Sequence, residues 1–227
     1  WAVAQGQRAD RGSLEAVTTS LNRATSIADV SLAAGEQISD ILVELKQKAT
    51  AAADPSATAA MRTSYNDEFQ SLLSSIQSFA DNAVFDGSNI LDGTATTALN
   101  FLASADASET ISLDRQNLTL PALSLTGMSL TSEANATAAL TAVNAAIATS
   151  SSRLAELGAQ AKQIERHTTY VGKLSDALEA GIGNLVDADM AKESARLTAL
   201  QVQQQLGVQA LSIANQSPQI ILSLFKG

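Results

Sequence analysis

The chain has 227 residues, of which 45% are hydrophobic but only 4% aromatic, and it carries a net charge of −9. That length suits one domain, or one with an extension, and so little aromatic area suits Ala- and Leu-rich helices packed along narrow seams. The negative balance excludes the clustered Lys and Arg of a nucleic-acid footprint, and the absence of Cys excludes disulfides, thiol catalysis and thiolate metal sites.

The remaining inventory argues against an enzyme and against any cofactor. His167 is the single histidine, so a multi-His zinc site is ruled out. A Ser-His-Asp triad built on it would lack the GxSxG turn that presents the nucleophile. His167 therefore reads as a polar residue on a helix. No Walker loop, no GxGxxG and no bilayer-length apolar run occurs, so no membrane insertion is expected. The opening WAVAQGQRAD lacks a start Met and a signal-peptide pattern, and reads as the interior of a longer chain.

In chain order, the first helical period starts at Leu14. Leu14, Val17, Leu21, Ala24, Ile27 or Ala28, Ile38, Ile41, Leu42, Leu45 and Ala49 form one apolar stripe, with Gly35 its weak point. Asp54-Pro55-Ser56 stops it, because Pro cannot continue a helix. A second helix restarts near Ser56 as N-cap, with Met61, Tyr65, Phe69, Leu72, Ile76 and Phe79 as its core face. In FDGSNILDG, Asp86-Gly87 and Asp92-Gly93 are turn signals. The period then changes to alternation at Leu99/Phe101, Ile111/Leu113, Leu118/Leu120 and Leu123/Leu125, which predicts β-hairpins or loop over 96–133.

A very long helix is predicted from Asn135, with Leu140, Val143, Ile147, Leu154, Leu157, Ala161, Ile164, Thr168 and Val171 at heptad-like spacing. At about 1.5 Å per residue, 138–183 alone would extend roughly 70 Å, which is a rod. Gly181-Ile182-Gly183 reads as a joint. Beyond it lie two apolar stripes, read as neighbours: Leu197, Leu200, Val208 and Leu211, then Val202, Leu206, Ala210 and Ile213. So wide an apolar face needs a partner, either chain or segment.

In this last segment the residues become recognisable. NLVDADMAKESARL, followed by QQQLGVQALSIANQSPQIILSLF, closely resembles the C-terminal region of bacterial flagellins. The likeness rests on an ordered string, Ser212-Ile213-Ala214-Asn215-Gln216, at a set distance from the end. FDGSNILDG resembles the turn after that family's second N-terminal helix. The short, Cys-free form with LSLF close to its end is most similar to alphaproteobacterial flagellins. The HExxH insert of proteolytic flagellins and large outer domains have no counterpart.

The resemblance implies a mainly α chain. An elongated rod domain (D1) of long antiparallel, coiled-coil-like helices would carry a small β-hairpin region, followed by a C-terminal helix of the D0 domain. By that reading 1–95 is the N-terminal part of D1, with its rod proper from 11. Residues 96–133 are the variable outer region, 134–183 the return helix, and 184–227 the D0 helix. WAVAQGQ resembles the segment just after the family's N-terminal D0 helix, so the chain would lack the helix that pairs with its tail, and would not polymerise efficiently by itself.

The implied function is a structural subunit polymerising with other flagellin subunits into the extracellular filament of swimming bacteria. The implied partners also include an export chaperone, cap and hook-junction proteins, with secretion through the flagellar export apparatus. D0 packing would fall to Leu197, Leu200, Val202, Leu206, Leu211, Ile213, Ile220 and Leu224, with Asp187 and Asp189 opening the terminal helix at its positive end. A hook–filament junction protein is a second reading. A secreted amphipathic membrane-binding protein is a third, disfavoured because 197–225 has no Lys or Arg. Flagellins that activate the animal flagellin receptor resemble one another in an Arg-x-Arg-Glu-Leu string. Here Ile41-Leu42-Val43-Glu44-Leu45 keeps Glu44 and Leu45 but places Ile41 and Val43 at the arginine positions. Asn117-Leu118-Thr119 and Asn135-Ala136-Thr137 fit the N-glycosylation pattern.

Overall fold

In the computed structural model residues 2–224 are described, with side chains for residues 2–215. Helix accounts for 74% of the chain. The elements are α1 (Ala2–Ala53), α2 (Ala59–Asn82), β1 (Leu99–Leu102), β2 (Thr110–Leu113) and α3 (Glu133–Leu224). They divide into two compact units, Gly12–Leu174 and Trp1–Arg11 with Ser175–Gly227.

The larger unit is built on seams of small and branched side chains. Along α1 from Leu14 the buried row is 14, 17, 21, 24, 28, 31, 35, 38, 42, 45, 49 and 52, alternating steps of three and four without a slip, with Ile27 buried beside it. This is the 3.5-residue period that keeps one stripe facing a partner helix. Gly35 and Ser31 fill the places where the apolar reading lapsed. On α3 the matching row is Ala136, Ala139, Val143, Ala146, Ser150, Leu157, Ile164 and Val171. Two contacts register the helices: Ser39 and Ser150 share a hydroxyl hydrogen bond of 3.3 Å, and Leu154 fills the space above Gly35. Ala, Ser and Gly at so many seam positions permit close approach, which is why the chain needs few aromatics.

α1 ends in a capped turn. The Asp54 carboxylate accepts from the backbone N–H and hydroxyl of Ser56, both at 2.8 Å. These bonds hold its pKa below the ordinary carboxylate value. Arg62 reaches back from α2 to donate to the carbonyls of Ala52 and Asp54, each at 2.9 Å, satisfying acceptors that a helix end leaves open. Because Asp54 engages Ser56, the N-cap of α2 is Thr58 and not Ser56, and its hydroxyl accepts from Met61 N–H at 3.2 Å. The buried face of α2 is Phe69, Leu73, Ile76 and Ala80. Leu73 thus takes the place expected of Leu72, while Met61 and Phe79 are exposed. An ion pair between Lys48 and Glu68 links α1 to α2.

Asp86 and Gly87 both have positive φ, 48° and 72°, and Phe85 and Ser88 exchange both backbone hydrogen bonds around them. Asp-Gly is the pair that such a two-residue turn favours. β1 and β2 pair antiparallel, with Leu99 opposite Leu113 and Phe101 opposite Ile111. Phe101, Ile111 and Leu113 point inward. The alternation further on does not form strands: 118–127 folds as consecutive turns through Leu123 N–H to Thr119 O and Leu125 N–H to Leu120 O, with Leu118, Leu123 and Leu125 buried. Pro121, with no N–H to donate to a ladder, disfavours pairing there.

The helix is wider than the apolar period: α1 is already helical at Ala2, ahead of the stripe that starts at Leu14, since Ala, Gln and Arg sustain a helix without an apolar stripe. α3 starts at Glu133, two residues before Asn135, with the Ser132 hydroxyl accepting from Asn135 N–H at 3.1 Å. It then continues unbroken through Gly181-Ile182-Gly183. Asp187 and Asp189 therefore sit inside a helix, where no free N–H groups await a carboxylate, and the terminal-dipole role does not apply. In the smaller unit Ala4 and Ile182 are buried, and Arg11 pairs with Glu179 at 3.4 Å.

Candidate assembly surface

Three surfaces bear on function, and the first is a ladder on α3. Arg153, Gln160 and His167 follow one another at seven-residue spacing, in the seam register that Ala139 and Ala146 begin. Each reaches the non-helical region. Arg153 donates to the carbonyl of Asn117. The Gln160 amide donates to Asp114 Oδ2 at 2.6 Å and accepts from Asp114 N–H at 2.9 Å. His167 Nε2 lies 2.7 Å from the carbonyl of Ala103, and its ring lies 5.8 Å from that of Tyr170. The ladder escapes an apolar count, though polar residues at a strict heptad spacing are its signal. From the other side Ser20 accepts from Leu102 N–H at 3.0 Å, and Gln77 and Asn66 accept from Leu120 and Leu130 N–H.

The hairpin loop carries a second polar knot. Asp106 accepts from the hydroxyls of Ser104 and Ser108, at 2.6 and 2.7 Å, and from Ser108 N–H at 3.1 Å. The Ser104 hydroxyl is the largest cause of its pKa falling to about 2. Of the two glycosylation triplets, Asn117 is half-buried over Gly93 and its Oδ1 accepts from Thr119 N–H and hydroxyl. Thr119 is itself buried, so that triplet is closed to a modifying enzyme. Asn135 is exposed but lies in a helical turn.

The second surface is the stretch 41–45 on α1. Leu42 and Leu45 belong to the buried seam, Ile41 is half-buried, and Val43 and Glu44 face outward. The third is the far part of α3. Leu197, Leu200, Val202, Leu206, Leu211 and Ile213 are each between 49% and 67% exposed. Ile220 and Leu224 lie outside the described side chains. In a continuous helix the two apolar stripes here are not neighbours. At about 100° per residue they lie almost half a turn apart, on opposed faces. On the flank between them Thr198, Gln201, Gln205, Gln209 and Ser212 form an uncharged polar strip. Among the described residues no group of His, Asp or Glu is placed to hold a metal ion, and no helix is long and apolar enough to cross a membrane.

The chain is mostly helical, and the far part of α3 exposes large apolar side chains on two opposed faces. The family description of the bacterial flagellin N-terminal helical region matches residues 1–96, and that of the C-terminal helical region matches 140–225. The chain belongs to the bacterial flagellin family. Flagellin FljM of Caulobacter vibrioides is 49% identical over 227 residues, covering 100% of this chain and 82% of that protein. Such relatives are alphaproteobacterial, as the resemblance of the short, Cys-free sequence suggested. The crystal structure of Bacillus cereus flagellin superposes with a TM-score of 0.61 at 25% identity, covering 67% of this chain and 88% of that one. A hook-associated protein structure from Vibrio parahaemolyticus superposes with a TM-score of 0.65 at 14% identity, covering 81% of this chain and 96% of that one. That second likeness shows the fold alone. This flagellin is thus a structural subunit of the extracellular flagellar filament, and it polymerises with other flagellin subunits.

Proposed function

We propose that polymerisation runs through the exposed apolar faces of α3 beyond 184, in the D0 role, while 11–95 and 134–183 act as the D1 rod and 96–133 as its outer region. The observation that carries this reading is the exposure of six large apolar side chains on two opposed faces of one helix. Fully burying an exposed Leu, Ile or Val stabilises by about 1.5–3 kcal/mol, so the six, already part-covered by their own helix, supply at most about 9–18 kcal/mol. Association costs about 4–15 kcal/mol in lost freedom, so covering a single face leaves little surplus. Both faces must be covered, which favours a lattice in which each helix has several neighbours. A contact of this kind is heterologous and does not close, and repeats of it generate a helical polymer.

The finer partners rest on family likeness. An export chaperone would shield the same α3 faces before secretion through the flagellar export apparatus, and cap and hook-junction proteins would meet the ends of the polymer.

The test uses the full-length flagellin. Leu206→Asp and Leu211→Asp, one on each face, should each abolish sedimentable filaments while leaving the helical circular dichroism of the monomer unchanged. Long filaments from both variants would overturn the assignment.

A further inference from the structure

With no Cys in the chain, the side chains most open to oxidation are the thioethers of Met61, Met128 and Met190. Their surroundings differ. Met128 is half-buried in the turns before α3, and its backbone carbonyl accepts from the Gln70 amide at 2.8 Å. Met61 is 45% exposed in the first turn of α2, away from the apolar tail. Met190 is 62% exposed, in the part of α3 beyond 184. Met190, Leu197 and Val208 are spaced by seven and eleven residues, about two and three helical turns, so they share one side. Met190 is therefore the one methionine that lies on an apolar face of the tail.

We propose that Met190 is an oxidation site, with hydrogen peroxide as oxidant, that decides whether a free subunit can enter the polymer. The inference rests on the reading that both apolar faces of α3 are covered in the filament. The thioether sulfur attacks one peroxide oxygen, the O–O bond breaks, and the second oxygen leaves as water after proton transfer. Sulfur loses two electrons, peroxide gains them, and the product is the sulfoxide. In the free subunit that polar S=O group stays hydrated. Covering the face strips its water, and a surface that fits Leu197 and Val208 is apolar, so it offers the oxygen no donor. Once the subunit is assembled, the same cover keeps peroxide from the sulfur. Sensitivity thus belongs to the subunit and not to the filament, and reduction of the sulfoxide reverses it.

Depolymerised full-length flagellin, treated with hydrogen peroxide until about half of Met190 is oxidised and then polymerised, tests this. Peptide mass spectrometry compares pellet and supernatant. Met190 sulfoxide should be depleted at least about tenfold in the pellet, the effect of burying an unpaired polar group, while Met61 sulfoxide divides evenly. Treatment with both epimer-specific methionine sulfoxide reductases should return the excluded subunits to the pellet. Preformed filaments at the same peroxide dose should oxidise Met190 at least about tenfold more slowly than free subunits do. Peroxide should not lower the yield of Met190→Leu relative to its own untreated sample. Met190 sulfoxide equally abundant in pellet and supernatant, or Met190→Leu as sensitive as the parent, would overturn the proposal. Unoxidised Leu206→Asp and Leu211→Asp run alongside. If they fail to assemble while Met190 sulfoxide enters the pellet, the oxidation site alone is refuted; if they assemble, the assignment of the faces has failed.

Discussion

Gly35 occupies a place in the α1 seam that residues 28 and 42 fill with Ala and Leu. A Cβ built on it would overlap Leu154 Cδ2 and stand 3.5 Å from Leu118 Cδ1. Gly35→Val should therefore lower thermal stability by about 1–3 kcal/mol through overpacking, and Leu154→Ala in the same chain should return part of it. Unfolding curves of the four chains of that cycle check both points. Ala107, in the hairpin loop, holds a φ of 57°, a region that costs a Cβ-bearing residue about 1–2 kcal/mol. Ala107→Gly should raise hairpin stability by up to about 1 kcal/mol, the relief being offset partly by the greater freedom of Gly when unfolded. Beside it, Asp106 titrates near 2 instead of its ordinary 3.8. A carboxylate with a depressed folded pKa contributes stability that is present above the ordinary value and lost as pH falls through the folded one. Hairpin order should thus weaken between pH 4 and pH 2, and Asp106→Asn should flatten that limb in amide-resolved NMR of Ser108.

At the scale of elements, α3 shows why a helix can serve two partners. Its seam places Ala146 and Ser150 toward α1, and the same register then presents Arg153, Gln160 and His167 to backbone groups of 103–117. Gln160→Leu would make the heptad more apolar yet leave the half-buried Asp114 N–H and carboxylate without their partner. Such a loss costs about 1–3 kcal/mol, so hydrogen-exchange protection of β1 and β2 should drop while α1 keeps its own. This reversal explains what sequence alone reveals. The stripe from Leu14 to Ala49 is legible because its residues are apolar. Ser31, Gly35 and the ladder are not, since they hold seam positions with polar or absent side chains. The register Phe101 opposite Ile111 follows from alternation, but the same alternation at Leu118–Leu125 belongs to turns closed by Ser124 and Gly127 at positive φ. The stretch 41–45 is a middle case. Its resemblance to the receptor-activating string is legible, and the structure adds that Val43 is exposed. We expect weak activation of the animal flagellin receptor, because buried arginines at such interfaces often contribute 2 kcal/mol or more, roughly thirtyfold each. Ile41→Arg with Val43→Arg should raise reporter-cell response at equal protein concentration.

For the molecule as a whole, the two units differ in what holds them folded. The unit Gly12–Leu174 contains nearly every buried side chain, whereas in Trp1–Arg11 with Ser175–Gly227 the buried apolar residues among those described are Ala4 and Ile182. The family was legible in the ordered string near 212–216, but the opposition of the two apolar faces was not. It shows only when 197–213 is laid out around the helix axis at about 100° per residue, where steps of three and four keep each stripe on its own side. A helix without burial rests on propensity and local hydrogen bonds, and such segments open at little cost in free energy. Lys192 and Arg196 lie on the exposed part of α3, and 197–225 contains no other Lys or Arg. In depolymerised flagellin, trypsin should cut at these two sites first and leave the Gly12–Leu174 unit intact, although that unit offers Lys46, Arg62, Lys162 and Arg166. Intact filaments should resist the same treatment, since neighbouring helices then cover both faces of α3. Mass spectrometry of timed digests decides the matter: equal cleavage rates at Lys46 and Arg196 in the monomer, or unprotected Arg196 in filaments, would show that burial by neighbouring copies is not what orders the tail.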